Sequence, residues 1–310
     1  MENEYFKKFL ILFYFIIFII DLPFKKKGFK SVKKTKIYLD KYETKIYYNI
    51  KEKLLKNKCS QMWNNQKEFL NGVIRKFKPK KILEIGVAQG GSSIIILNAI
   101  KDIKNSHLYS VDLSSNSQIG YCVRNLMKKY INKWSLYTGN IVAKFIEEIG
   151  NNLDMVFIDS AHYEPGEILD FLIVLPFLNE GAIVAFHDIG NQITNSGKKN
   201  TRKEWAPYII FNIIKGKKYL PSGNKILTQD IGAIKLEENQ IKYIHDYCRT
   251  LGGQWQYFPK EIHIELVRKI FSKYYDNECL FIFEESVAFN RNFVKNNPIK
   301  NLYINNSDPY

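Results

Sequence analysis

The chain has 310 residues, 45% hydrophobic and 15% aromatic, and its 46 Lys/Arg against 31 Asp/Glu give a formal net charge of +15. That length suits one large domain with extensions or two small ones, and the apolar content excludes a disordered or low-complexity chain. The charge is uneven: residues 1–81 hold 21 Lys/Arg and 7 Asp/Glu, whereas residues 82–310 hold 25 and 24. The basicity thus belongs to the N-terminal part. This argues against a nucleic-acid groove across the rest of the chain and for contact with an anionic membrane surface or an acidic partner.

Residues 9–20 are continuously apolar, preceded by Lys7 and Lys8 and followed by Lys25, Lys26 and Lys27. As a helix, twelve residues reach only about 18 Å against a hydrocarbon core of about 30 Å. The stretch therefore reads as a membrane-associated anchor rather than a span, with packing on the protein itself as the alternative. If the stretch did span, the stronger basic flank on its C-terminal side would keep the rest of the chain in the cytoplasm; the reading is a cytoplasmic protein associated with the inner face of the membrane. A linker and a helix near 42–55 come next. Met62, Trp63, Phe69, Leu70, Val73, Ile74 and Phe77 then fall on one helical face, stopped by Pro79. The four cysteines, Cys59, Cys122, Cys248 and Cys279, are widely spaced with no C-x-x-C, which reads as reduced, partly buried thiols.

The organising stretch is 80–92, KKILEIGVAQGGS. It reads as a short buried strand, a glycine turn from Gly86 to Gly91, and a helix whose first turn includes Ser92. A ligand at such a turn meets backbone N–H groups and the positive end of a helix dipole. A second strand, 107–112, ends in Asp112, placed to accept hydrogen bonds from ribose hydroxyls or to cap the next helix. A third strand and turn, 135–140, ends in Gly139-Asn140. A fourth, Met155–Ile158, delivers Asp159 and His162 to its C-terminal end, where open α/β sheets bind ligands. A helix with Ile168, Leu169, Leu172, Ile173 and Leu175 follows. A fifth strand, 182–186, then brings His187 and Asp188 to the same edge. Beyond a polar loop (190–203) and a helix (204–214), residues 226–228 and 231–235 read as a closing antiparallel hairpin. Residues 237–310 carry no assignable motif. Ile262, Leu266 and Ile270 suggest an amphipathic helix there, and His245 and His263 stand alone.

The Glu84-x-Gly86-x-x-x-Gly90 pattern resembles motif I of class I S-adenosylmethionine (SAM) dependent methyltransferases. The later blocks, Phe157-Ile158-Asp159-x-x-His162-Tyr163 and His187-Asp188, narrow the resemblance to the subfamily with cephalosporin-hydroxylase-like and sugar O-methyltransferase-like members. It covers about residues 62–236. It implies a Rossmann-like α/β fold, a seven-stranded mostly parallel sheet with helices on both faces, over residues 38–236. An apolar and basic segment (1–37) precedes this domain and a helical extension (237–310) follows it.

The resemblance also implies SAM as cofactor, contacted by Glu84, Gly86, Gly90, Ser92, Asp112, Asn140 and Asp159. The implied reaction is O-methylation of a small-molecule or glycan hydroxyl, an in-line displacement in which positioning does most of the work. His162 is the candidate general base. Asp188 is the second catalytic candidate, and Asp159 with Asp188 is the candidate pair for Mg²⁺. The residue before Asp188 is a histidine where an acid would complete an oxygen set. Two rival readings are a nucleotide- or NAD-binding Rossmann enzyme, disfavoured by the glycine spacing, and a SAM-fold binding protein without turnover.

Overall fold

The computed structural model describes residues 41–57, 59–60, 62–190, 205–221 and 230–297. The apolar stretch 9–20, nearly all of the loop 190–203 and the proposed strand 226–228 lie outside the described residues. Among the described residues, no helix is long and apolar enough to cross a membrane.

Two helices, α1 (Lys41–Lys56) and α2 (Asn64–Phe77), lead into β1 (Lys81–Ile85) and α3 (Gly91–Ile100). Then follow β2 (His107–Asp112), α4 (Tyr121–Leu126), β3 (Trp134–Thr138), α5 (Val142–Ile149), β4 (Leu153–Ile158), α6 (Gly166–Val174) and β5 (Leu178–His187). The chain continues with α7 (Trp205–Ile213), β6 (Gly216–Tyr219) and β7 (Ile231–Leu236). The C-terminal part holds α8 (Ile244–Arg249), α9 (Glu261–Tyr274) and α10 (Asn277–Asn296). The seven strands form one sheet in the order β3-β2-β1-β4-β5-β7-β6. The first five run parallel, and β7 is antiparallel to both β5 and β6.

The two faces of β1 feed different cores, because side chains alternate across a strand. Leu83 and Ile85 join α5, α6 and most of the C-terminal part, including Trp255, Phe271 and Phe283. Ile82 joins α2, α3 and α4 on the other face. Strands β1 and β4 are buried on both faces, so they read as continuous apolar runs rather than alternating ones. Parallel order also puts the C-terminal ends of β1, β2, β4 and β5 at one edge of the sheet, which is where Gly86, Asp112, Asp159 and Asp188 fall.

Several sequence expectations need correction. The last strand pairs at its outer side with β6 (216–219), a strand the sequence reading does not place. Trp63 is not on the buried face of α2; it is the residue capping the helix and is 68% exposed. In α9 the buried stripe is His263, Ile264, Val267, Ile270 and Phe271, while Ile262 is exposed. The face is rotated because His263 packs inward where periodicity favoured the isoleucine before it. His245 is not alone either: its Nε2 lies 2.7 Å from Asp276 Oδ2.

The cysteines are not all reduced: Cys59 and Cys122 form a disulfide across 63 residues of sequence. It ties the strap between α1 and α2 to α4, across the N-terminus of α3. A Cβ on Gly91 would lie 2.3 Å from the Cys59 carbonyl oxygen and 2.5 Å from Ser60 Cβ, so the strap rests directly on that helix start. Only folding brings Cys59 to Cys122, which is why spacing gave no signal. A cross-link closing a loop of this length stabilises by about 4 kcal/mol on a chain-entropy account. Cys122→Ser should therefore lower the unfolding free energy by about that amount in denaturant titration, and non-reducing peptide mapping should recover the joined peptides. Free thiols at both positions in unreduced protein would overturn the linkage.

Candidate functional site

The site begins at the turn after β1. Gly86 has φ +88°, and a Cβ there would sit 1.8 Å from the carbonyl oxygen of Asp159. No other residue type fits that approach. The Asp159 N–H donates to Ile85 O at 2.9 Å, and the Gly86 N–H donates to Val111 O at 2.9 Å. The turn is thus pinned between the ends of β4 and β2. Gly90 (φ +94°) then opens α3, which starts with no side-chain cap.

Glu84 is fully buried under α3. Ser93 and Ser110 hydroxyls each donate to its Oε2 at 2.6 Å, and Trp134 Nε1 donates to Ser110 Oγ at 2.9 Å. Its Oε1 is buried and has no hydrogen-bond partner. Burial pushes the carboxyl up to about 7, against the pull of Ser110, Ser92 and Ser93. Ser92 is buried in this first turn of α3. Asp112, at the end of β2, is engaged by backbone. The N–H groups of Val87 and Ala88 donate to Oδ2, both at 2.9 Å, and that of Ser114 donates to Oδ1 at 2.8 Å. It braces the glycine turn and also makes the local capping contact. Asn140 follows β3, where its Oδ1 accepts from the Ile141 N–H at the start of α5.

Asp159, His162, His187 and Asp188 converge at the adjoining strand ends. His162 Nδ1 is 3.0 Å from Asp188 Oδ2 and 3.6 Å from Glu167 Oε1, and its Nε2 is 3.8 Å from Asp159 Oδ1. His187 Nδ1 is 3.4 Å from Asp159 Oδ1 and 3.1 Å from Asp188 Oδ1. Burial disfavours the His162 imidazolium, but Asp188, Asp159 and Glu167 outweigh it and raise the group to about 9. The same contest leaves His187 well above its ordinary value, through Asp159 and Asp188. Burial would raise Asp188, yet the two imidazoles hold it well below the usual carboxylate range. His162 and Asp188 both have positive φ, +59° and +57°. Such backbone costs of order 1 kcal/mol or more per residue and clusters where geometry is functional.

Two neighbours in this cluster carry no sequence signal. Glu167 accepts the His162 N–H at 2.5 Å and is itself pushed up to about 7, mainly by burial. Asp230 accepts the Gly190 N–H at 2.8 Å and is also raised to about 7, by burial and then by Asp188. One lies inside a helix and the other before β7, so only the tertiary structure places them here.

Residues 83–189 match a family model described as a methyltransferase domain. No curated protein matches the chain. Similar solved structures include a Staphylococcus aureus protein assigned as a caffeoyl-CoA O-methyltransferase. It is 21% identical with a TM-score of 0.47, and the match covers 61% of this chain and 91% of that one. An O-methyltransferase of Bacillus cereus in complex with SAH is 14% identical over 62% of this chain and 90% of its own, with a TM-score of 0.47. The O-methyltransferase TomG of Streptomyces achromogenes, in complex with SAM, is 17% identical over 67% and 94%, with a TM-score of 0.46. The match to a methyltransferase domain thus spans the stretch from β1 to the end of β5, the strands whose C-terminal ends carry the site.

Glu84 makes stability depend on pH. Its folded pKa is raised from 4.5 to about 7, so its stabilising contribution is fully present below pH 4.5 and is lost as pH rises through about 7. A shift of that size corresponds to about 3 kcal/mol. In equilibrium unfolding, Glu84→Gln should flatten the decline in stability between those two values. An unchanged profile would mean that the carboxyl is not desolvated as described.

Proposed function

We propose that this enzyme transfers the methyl group of SAM to a hydroxyl of a small acceptor, a sugar or related compound. The observation that carries the reading is the packing of two imidazoles among carboxylates at the sheet edge, directly beside the glycine turn. SAM arrives with its methyl group already activated, so the protein has to position the reactants and manage the acceptor proton. Gly86 and Gly90 allow close approach to the cofactor, and Ser92 and Glu84 support the turn from beneath. Asp112 and Asn140 stand at the neighbouring strand ends, suited to ribose and adenine.

His162 is the group we assign to take the acceptor proton. In the site as it stands Asp188 holds a proton on this imidazole. Its use as a base therefore requires Asp188 to be engaged elsewhere, which returns the ring toward ordinary basicity. In the alternative arrangement, where His162 is a ligand rather than the base, Asp159, His162 and Asp188 each offer a ligand atom within 4.8 Å of the others. These residues fit a divalent metal, which would lower the acceptor hydroxyl pKa. The mixed nitrogen–oxygen donor set suits Mn²⁺, Fe²⁺ or Zn²⁺ better than Mg²⁺. The apolar stretch 9–20 and its lysines favour a place of action at an anionic membrane surface.

Calorimetric titration of the full chain with S-adenosylhomocysteine should show micromolar binding, and titration with NAD should show none. NAD binding alone would sink the reading. Asp112→Ala removes charged hydrogen bonds and should weaken S-adenosylhomocysteine binding by about tenfold or more; unchanged affinity would reject its cofactor role. His162→Ala should leave that affinity intact while methyl transfer to a glycan acceptor is lost, and retained turnover would move the base elsewhere.

A further inference from the structure

We propose that His245, Cys248, Asp276 and Cys279 form a tetrahedral zinc site that staples α8 to the start of α10. The proposal is independent of the methyl-transfer reading. The sequence offers two chelating pairs, His245-x-x-Cys248 and Asp276-x-x-Cys279. Residues three apart on a helix face the same way, so each pair can present two ligands to one point. In the first pair both residues belong to α8. In the second, Asp276 is the N-cap of α10 and Cys279 lies in its first turn. The Asp276 side chain accepts the Cys279 N–H at 2.9 Å through Oδ1, which aims Oδ2 at His245, 2.7 Å away.

Three of the four side chains converge, and Cys248 approaches through Cys279. The ligand atoms of His245, Asp276 and Cys279 all lie within 4.8 Å of one another. The Cys248 thiol, fully buried like that of Cys279, lies near enough to it for the two to interact. Ligand atoms around a tetrahedral zinc stand about 3.5 Å apart, so His245, Asp276 and Cys279 need only small shifts, and Cys248 would turn toward them to complete the set. Two sulfurs, one imidazole and one carboxylate make a donor set that favours zinc over hard cations. The sulfurs are fully buried, whereas His245 and Asp276 reach the surface and give an ion a way in. Binding would expel the two thiol protons and replace the imidazole–carboxylate hydrogen bond. The two thiolates and one carboxylate outweigh the dication by one charge, and Arg249, next to Cys248, lies on the same surface, paired with Glu278 at 2.9 Å.

The location gives such a staple a purpose. Tyr275, beside Asp276, donates its hydroxyl to the Leu172 carbonyl on α6, the helix that follows the His162 loop. Fixing α8 to α10 would therefore hold the C-terminal part against the element that supports the site.

The test is metal analysis of the full chain purified without chelator, followed by cobalt exchange. We expect about one zinc per chain in this site and a near-ultraviolet sulfur-to-cobalt charge-transfer band. The Asp159–His162–Asp188 cluster has no sulfur, so a metal there gives no such band. Cys248→Ser should reduce the band by about half or more, since only one thiolate then remains. If that variant does not fold, His245→Ala, at a half-exposed position, should still weaken zinc binding at least about tenfold in chelator competition. Absence of the cobalt band, or a Cys248–Cys279 disulfide in unreduced protein, would overturn the site.

Discussion

The approach of the Asp159 carbonyl to Gly86 sets the geometry of this molecule's working edge. With no side chain at Gly86, β1 and β4 can end side by side, joined by the Asp159 N–H bond to Ile85. The turn that would receive the cofactor and the residues that would handle the acceptor therefore share one short backbone contact. Asp112 completes the frame by accepting the N–H groups of Val87 and Ala88. A side chain at Gly86 would force these strand ends apart and separate the two halves of the site.

Around that frame the protein concentrates charge at low exposure. His162 and His187 sit among Asp159, Asp188 and Glu167, and both His162 and Asp188 take left-handed backbone. Each imidazole is held protonated by carboxylates that would otherwise repel one another, so the cluster is stable only as a set.

Two elements outside the sheet brace this edge from opposite faces. On one face the disulfide-tied strap lies on the first turn of α3. On the other, the segment before α9 reaches the His162 loop: Gln256 exchanges hydrogen bonds with the Glu164 backbone, at 2.9 Å in each direction, and Tyr257 packs in the same core. The C-terminal part is therefore structural support for the site as well as a cover for α5 and α6.

The succession of the first five strands along the chain, the glycine turn and the acids at strand ends were legible in the sequence. They depend on local rules: apolar runs of strand length, glycine where backbone must approach closely, and polar residues where parallel strands stop. The same rules missed β6 as a partner of β7, because this short lysine-bearing strand has little apolar signal. They also put Ile262 rather than His263 on the buried side of α9. Glu167 and Asp230 beside the histidines, the Cys59–Cys122 bridge and the meeting of His245 with Asp276 were beyond sequence reading altogether. Each is a pairing between distant segments, and periodicity or spacing along one segment carries no information about which other segment it will meet. The sequence determined the kind of sheet and the chemistry at its edge; only tertiary packing decided which charges face one another there, because that depends on how the helices close over both faces.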